Sequence, residues 1–254
     1  MTERPKFWPP AAAVAGLLAV WQAAVTIFGV EAWLLPSPLD ILREAWRIAP
    51  RLMEHTWSTM RICAVGFAAG AACGVAVAIA VHLVRPVRLS VMPLLILTQN
   101  VPVIVLGPLL TVWFGFGLLP KVILVTLVCF FPIAVAMMQG LAHADPSMKN
   151  YLNIIGASKL QLLAKLELPA SLPHLFAGLK ISGTYSVMGA VIAEWLGASS
   201  GLGYFMKLSS SAFRADRVFA AVFIIVALSM AVYALIGWAQ RLVIRWMPKP
   251  EGER

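Results

Sequence analysis

The sequence predicts an all-α protein that crosses a membrane six times, and three observations carry that prediction. Only 12% of the 254 residues are charged and 61% are hydrophobic, with a mean hydropathy of +0.86; a soluble domain carries roughly 25% charge. Charge-free stretches run from Phe7 to Val30, Ile62 to Val81, Leu89 to Pro120, Val122 to Ala142 and Val218 to Gln240, and each reaches the ~20 residues that span a bilayer as a helix. A sixth stretch, Leu175 to Trp195, is interrupted by Lys180 and closed by Glu194. Finally, with both termini in the cytoplasm, eleven Lys and Arg residues fall inside and eight outside, a bias that favours this orientation. The net charge of +9 then reads as topology and contact with lipid headgroups, and no nucleic-acid partner is expected.

Each element has a local reason. The first apolar stretch is longer than the ~7–15 residues of a cleaved signal region and lacks a small-x-small cleavage site, so it is expected to be retained as a helix. Trp33 to Pro38 breaks the chain. Pro38 to Glu54 then predicts a helix lying on the membrane, because Leu39, Leu42, Trp46 and Ala49 recur at helical spacing. Ser37 suits its N-cap and Pro38 its first position. In the second span Gly66, Gly70 and Gly74 repeat every four residues, which lets helix backbones approach closely in lipid. The partner is either another helix of the same subunit or a second subunit.

Leu89 to Pro120 is longer than one span needs and holds Pro93, Pro102, Pro108 and the pair Gln99–Asn100. A broken helix at membrane depth is tolerated only against protein or a watery cavity. Polar side chains inside a span point to function, with plain interhelical hydrogen bonding as the alternative. Phe114 to Pro120 predicts a tight external turn. The fifth span carries Ser182, Thr184, Tyr185 and Ser186 and ends in Ala193-Glu-Trp-Leu-Gly-Ala-Ser-Ser-Gly-Leu-Gly203. Glu194 there either lines a gate or solute path, or caps a neighbouring helix, or pairs with Arg214 or Arg217. Gln99, Asn100, Tyr185 and Glu194 are the candidate pathway residues.

The chemistry of an enzyme is missing. There is no Gly-x-x-x-x-Gly-Lys-Ser/Thr loop for ATP phosphates and no His-Glu-x-x-His pair. Cys63, Cys73 and Cys129 all fall inside spans, where cysteine serves as a small hydrophobe, and no CxxC pair occurs. His55, His82, His143 and His174 are far apart with no metal-site spacing. Neither a cofactor nor a metal is expected.

One polar stretch, residues 143–173, interrupts the second half of the chain. It has a plan: Gly156, an amphipathic run from Ala157 to Leu168, then Pro169 and Pro173. Leu160, Leu163 and Ala164 are expected on one face of a short helix, with Pro169 in the first turn of the next. A short helix across the cytoplasmic mouth of two spans can insert into a groove of a partner.

These residues resemble the cytoplasmic loop of ABC importer permeases of the binding-protein-dependent type. That pattern reads Glu-Ala-Ala, three residues, Gly, nine residues, an aliphatic, one residue, Leu-Pro. Gly156, Leu166, Leu168 and Pro169 match its second half, while Asn150-Tyr151-Leu152 stands where Glu-Ala-Ala is usual. The resemblance extends over about residues 34–245. Leu35-Pro-Ser-Pro38, Val101-Pro102, Pro108-Leu109, Trp113-Phe-Gly115 and Ala193 to Ala198 with Gly201-Leu-Gly203 look like the nitrate, sulfonate and taurine branch. Thr184-Tyr-Ser186 and Phe213 to Phe219 look closer to permeases for thiamine-precursor pyrimidines or riboflavin.

The resemblance implies a type I importer permease fold, a single domain over 1–254 with a family core over about 60–245, and a coupling loop over 143–173. It implies a bacterial cytoplasmic membrane, a second permease copy, two ABC ATPase subunits and an external solute-binding protein. It assigns ATPase docking to Asn150, Gly156, Ala157, Ser158, Lys159, Leu160, Leu163 and Pro169. Two other readings stand beside it. An ion-coupled carrier would use Lys180, the one deep charge, and an intramembrane enzyme would need a nucleophile and base that the sequence does not pair.

Overall fold

The computed structural model describes residues 8–84, 90, 91, 93, 95, 97 and 101–245. Gln99 and Asn100 lie outside the described residues. Every regular element among those described is helical: α1 (Trp8–Phe28), α2 (Pro38–Arg47), α3 (Ala49–Leu83), α4 (Val103–Phe114), α5 (Leu118–Ala142), α6 (Pro146–Ile154), α7 (Lys159–Trp195), α8 (Leu202–Ser211) and α9 (Ala215–Val243). By length and composition α3, α5, α7 and α9 are able to cross a membrane. Of the other expected spans, α1 is apolar over Ala12–Phe28, and Leu89 to Pro120 contains the 12-residue α4.

The predicted surface helix over Pro38 to Glu54 is corrected. Ser37 caps it as expected, its Oγ accepting from the Asp40 N–H at 3.2 Å with Pro38 in the first turn. It ends at Arg47, however, and Ala49 opens the 35-residue α3. Pro50 is the cause: it has no N–H to donate to the Trp46 carbonyl four residues back, and its ring clashes with that carbonyl. At 1.5 Å per residue α3 is about 52 Å long, so its first turns extend past the hydrocarbon and carry α2 there.

The glycine stripe settles inside the subunit. A Cβ on Gly66 would stand 2.6 Å from Val125 Cβ, one on Gly70 2.7 Å from Cys129 Cβ and 2.9 Å from the Thr126 carbonyl, and one on Gly74 2.9 Å from the Phe130 carbonyl. The stripe is therefore the groove in which α5 lies. α5 packs equally closely on α7, where Gly140 faces the Ser171 backbone at 2.9 Å and Gly178 faces Ala136 Cβ at 2.6 Å. Ile62, Val125, Cys129, Ile133, Val187 and Ala190 form the core that α3, α5 and α7 share. Cys63 and Cys129 are buried there as free thiols, and the Ser182 Oγ donates to the Cys129 carbonyl at 2.9 Å.

On the opposite side of the molecule from the polar stretch, α2 is pinned by charge. Glu44 is buried and accepts from Arg47 at 2.7 Å, Arg214 at 2.8 Å and Arg217 at 2.8 Å. The two distant arginines sit at the start of α9, so of the alternatives open for Glu194 the pairing with Arg214 or Arg217 is not the one realised; both take Glu44. Burial pushes the Glu44 carboxyl up, but the hydrogen bonds from Arg47 and Arg217 and the charge of Arg214 outweigh it and hold it below its ordinary value. A depressed carboxylate contributes its full stability above its unfolded-state pKa and loses it as pH falls through the folded value. Acidification below about pH 4 is therefore expected to raise amide exchange in Pro38–Arg47, and Glu44→Gln is expected to raise it already at pH 7.

Candidate functional site

Two polar constellations stand out, one at each end of the spans. At the C-terminal end of α7, Glu194 is 1% exposed. Its carboxylate accepts from Thr59 Oγ1 at 2.8 Å and from the Gly203 N–H at 2.8 Å, while the Leu202 N–H donates to Thr59 Oγ1 at 2.9 Å and the Gly201 N–H to His55 Nδ1 at 3.2 Å. Free N–H groups at a helix start need such acceptors. Three side chains from α3 and α7 thus close the N-terminus of α8, the capping alternative that the sequence allowed.

The glycine-rich loop has the matching reason: a Cβ on Gly201 would meet the Glu194 carboxylate at 2.1 Å, and one on Gly203 the Val191 carbonyl at 2.3 Å. Gly201 also holds φ +107°, open to glycine alone among common residues. Tyr185 sits nine residues earlier on α7 and is 44% exposed, about 14 Å away along the axis. The two described pathway candidates are therefore not brought together. Between α7 and α9, the Lys180 Nζ lies 5.4 Å from the centre of the Tyr233 ring.

At the other end, the polar stretch is two helices with a stop between them. Asp145 caps α6, its Oδ1 accepting from the Ser147 N–H at 2.7 Å, and Pro146 fills the first turn. Gly156 then takes φ +79°. The Ala157 N–H reaches back to the Leu152 carbonyl at 3.0 Å and the Gly156 N–H to the Asn153 carbonyl at 3.1 Å, which is the Schellman stop that glycine permits. Ser158 and Gln161 form a reciprocal capping box that starts the next helix.

That next helix corrects the expected short helix over Ala157 to Leu168. Lys159 to Trp195 is continuous, because a π-helical turn over Leu163–Glu167 absorbs Pro169. Its i→i+5 bond, from the Leu168 N–H to the Leu163 carbonyl, closes just before the proline, which has no N–H to place. The separate helix at the mouth is α6, which precedes Gly156.

The docking candidates distribute accordingly. Asn150, Gly156, Ser158 and Lys159 are exposed, Ala157 and Pro169 half-buried, and Leu160 is 68% exposed. Leu163 turns inward, 6% exposed, against Ala78, Met137 and Leu141, so it does not share an outward face with Leu160. The outward apolar face lies on and just after α6: Met148, Tyr151, Ile154 and Ile155 are 48%, 58%, 83% and 60% exposed. Sequence reasoning missed this face because the resemblance drew attention past Gly156, although the i, i+3, i+6 spacing of Met148, Tyr151 and Ile154 was there to find.

It also missed Glu167. That carboxylate is 2% exposed and joins three elements: His82 Nε2, near the end of α3, donates to it at 2.7 Å, and Lys149 Nζ of α6 pairs with its other oxygen.

Comparison with known proteins places this architecture. Residues 70–248 match the family model for the binding-protein-dependent transport system inner membrane component. The chain is 32% identical to a probable ABC transporter permease protein of Haemophilus influenzae, over 90% of this chain and 94% of that one. It is 32% identical to the formylaminopyrimidine transport permease protein ThiX of Halalkalibacterium halodurans, over 92% and 93%. It is 30% identical to the riboflavin transport system permease protein RibX of Chloroflexus aurantiacus, over 91% and 87%. Among solved structures, a chain of the MetNI methionine ABC transporter in an inward-facing form superposes with a TM-score of 0.68 at 21% identity, covering 80% of this chain and 99% of that one. The chain therefore belongs to the family of binding-protein-dependent transport inner-membrane components: it is a multi-pass permease subunit of an ABC importer and leaves ATP hydrolysis to a separate ATPase subunit.

Proposed function

We propose that this permease, as a pair of copies, moves a small organic solute across the bacterial cytoplasmic membrane, receiving it from an external binding protein and driven by two ATPase subunits docked on α6. Each copy is one domain over residues 1–254 with six spans and both termini cytoplasmic. The observation that carries the reading is the α6 face. No residue of α6 is buried, yet Met148, Tyr151 and Ile154 line one side of it with Ile155 beyond. An apolar face held in water marks an interaction surface, and a short helix offering such residues fits a groove in a partner. Asn150, Gly156, Ala157, Ser158, Lys159 and Leu160 border that face. Leu163 and Pro169 lie further along, at the base of α7, with Leu163 in the core beside Met137 and Leu141.

The experiment is co-purification with the cognate ABC ATPase subunit. Ile154→Asp places a charge at the centre of the face and is expected to lower capture about tenfold, an effect of 1.4 kcal/mol, without altering the elution of the permease itself. Undiminished capture would overturn the docking reading.

For the solute, a thiamine-precursor pyrimidine is the proposal, supported by likeness to ThiX over nearly the whole chain. The alternatives are riboflavin, a sulfonate or taurine, and nitrate. Thermal stabilisation of the cognate binding protein across these compounds separates them: a shift with pyrimidines alone supports the proposal, and a shift with any other class replaces it. Tyr185, Glu194, Gln99 and Asn100 are proposed along or beside the path, Glu194 by holding α8 in place.

A further inference from the structure

We propose that Glu167 is a positioning residue for energy coupling: through Lys149 and His82 it fixes the orientation of the docking helix α6 relative to the mouths of α3 and α7. The proposal rests on the reading of α6 as the docking helix.

The argument starts from what does not hold α6. None of its nine residues is buried, so no core packing sets its angle. Its two ends are a capped turn at Asp145–Pro146 and a glycine stop at Gly156, both of which define where the helix begins and ends but leave rotation about those ends open. The ion pair of Lys149 with Glu167 ties the body of α6 to the base of α7, beside the half-buried Leu152.

Glu167 is suited to that task by where it is buried. It lies on the π-helical turn at the base of α7, next to Leu163, which is anchored in the core between Ala78 and Leu141. Its second oxygen is taken by His82 from α3 at 2.7 Å. The carboxylate is 2% exposed, while the side chains of Lys149 and His82 keep 29% and 23% exposure. The acid is the fixed post and the two bases are the partners tied to it.

Buried ion pairs are weak sources of net stability, since desolvation offsets most of the attraction. What they supply is geometry, because a charge-assisted hydrogen bond in a dry site tolerates little deviation. A load applied to Met148, Tyr151 and Ile154 by a moving partner then passes through Lys149 to Glu167, and from there to α7 directly and to α3 through His82. Without Glu167 the helix would be free to tilt under that load, and the motion would be lost before reaching the spans.

The test measures orientation first. Nitroxide labels are placed by Asn153→Cys on α6 and Val84→Cys just past α3, both exposed sites, with Cys73→Ser to remove the exposed native thiol. In the permease in nanodiscs, Lys149→Met and Glu167→Gln are each expected to broaden the label distance distribution about twofold. The exchange Lys149→Glu with Glu167→Lys is expected to restore the narrow distribution, which a merely space-filling role would not do. Lys149→Met, on an exposed helix, keeps the fold even if Glu167→Gln does not.

In the assembled importer the single variants are expected to weaken ATPase association roughly tenfold, the equivalent of one charge-assisted hydrogen bond, with recovery in the exchange. An equally narrow distribution in Lys149→Met overturns the proposal. Failure of wild-type permease to capture the ATPase overturns the docking reading instead, and is seen separately from the label distances.

Discussion

Gly70→Leu is expected to yield no correctly assembled permease. The Cβ alone would stand 2.7 Å from Cys129 Cβ, 2.9 Å from the Thr126 carbonyl and 3.2 Å from the Phe130 N–H, and two of those three contacts are backbone that has no rotamer to change. Inserting bulk into a packed core costs typically ~1–3 kcal/mol where neighbours shift. Here α3 and α5 would have to separate along the seam that also carries Val125, Cys129 and Ile133, so the cost is expected at the upper end or beyond. Size-exclusion elution of the detergent-extracted protein checks it: a collapsed monodisperse peak is the expected result. Gly16, whose Cβ meets nothing within 4 Å, provides the contrast, and Gly16→Leu is expected to elute like the parent.

Removing the buried acid at the other end of α7 is the second large effect. Glu194→Leu leaves the Gly203 N–H without its acceptor in a site closed to water, and leaves the Thr59 hydroxyl the His55 carbonyl at 3.2 Å in place of the carboxylate. An orphaned buried group costs about 1–3 kcal/mol, and a loss of that size is expected as a lowered thermal transition in detergent. Thr59→Val removes both the donor to Glu194 and the acceptor of the Leu202 N–H, and is expected to destabilise through the same cap. Because the two residues share one network, the double variant is expected to cost less than the sum of the singles. Full additivity would mean that Thr59 and Glu194 act separately.

Several features were legible along the chain because their signals are local. Ser37 and Pro38 announce the start of α2, and Asp145 and Pro146 offer the same start signal for α6, because a cap and its helix are neighbours in sequence. The glycines at 66, 70 and 74 announce a close helix contact. Other features misled for an equally physical reason. Pro169 looked like the opening of a new helix, but a π turn lets a proline sit inside a continuous one. Leu163 shares helical spacing with the exposed Leu160, but the chain around it packs it against Ala78, Met137 and Leu141.

What the sequence by itself determined is the class of protein: apolar stretches long enough to cross a bilayer, a polar segment that must face water, no phosphate-loop motif, and a resemblance to importer permeases that the family match bears out. Those properties follow from composition, local turn chemistry and pattern. The tertiary structure decided which groups meet. Glu44 takes Arg217 from 173 positions away, Glu194 takes Thr59 from 135, and Glu167 takes His82 from 85. A buried carboxylate must find donors wherever the packed helices bring them, and that choice is made by helix packing rather than by chain neighbours.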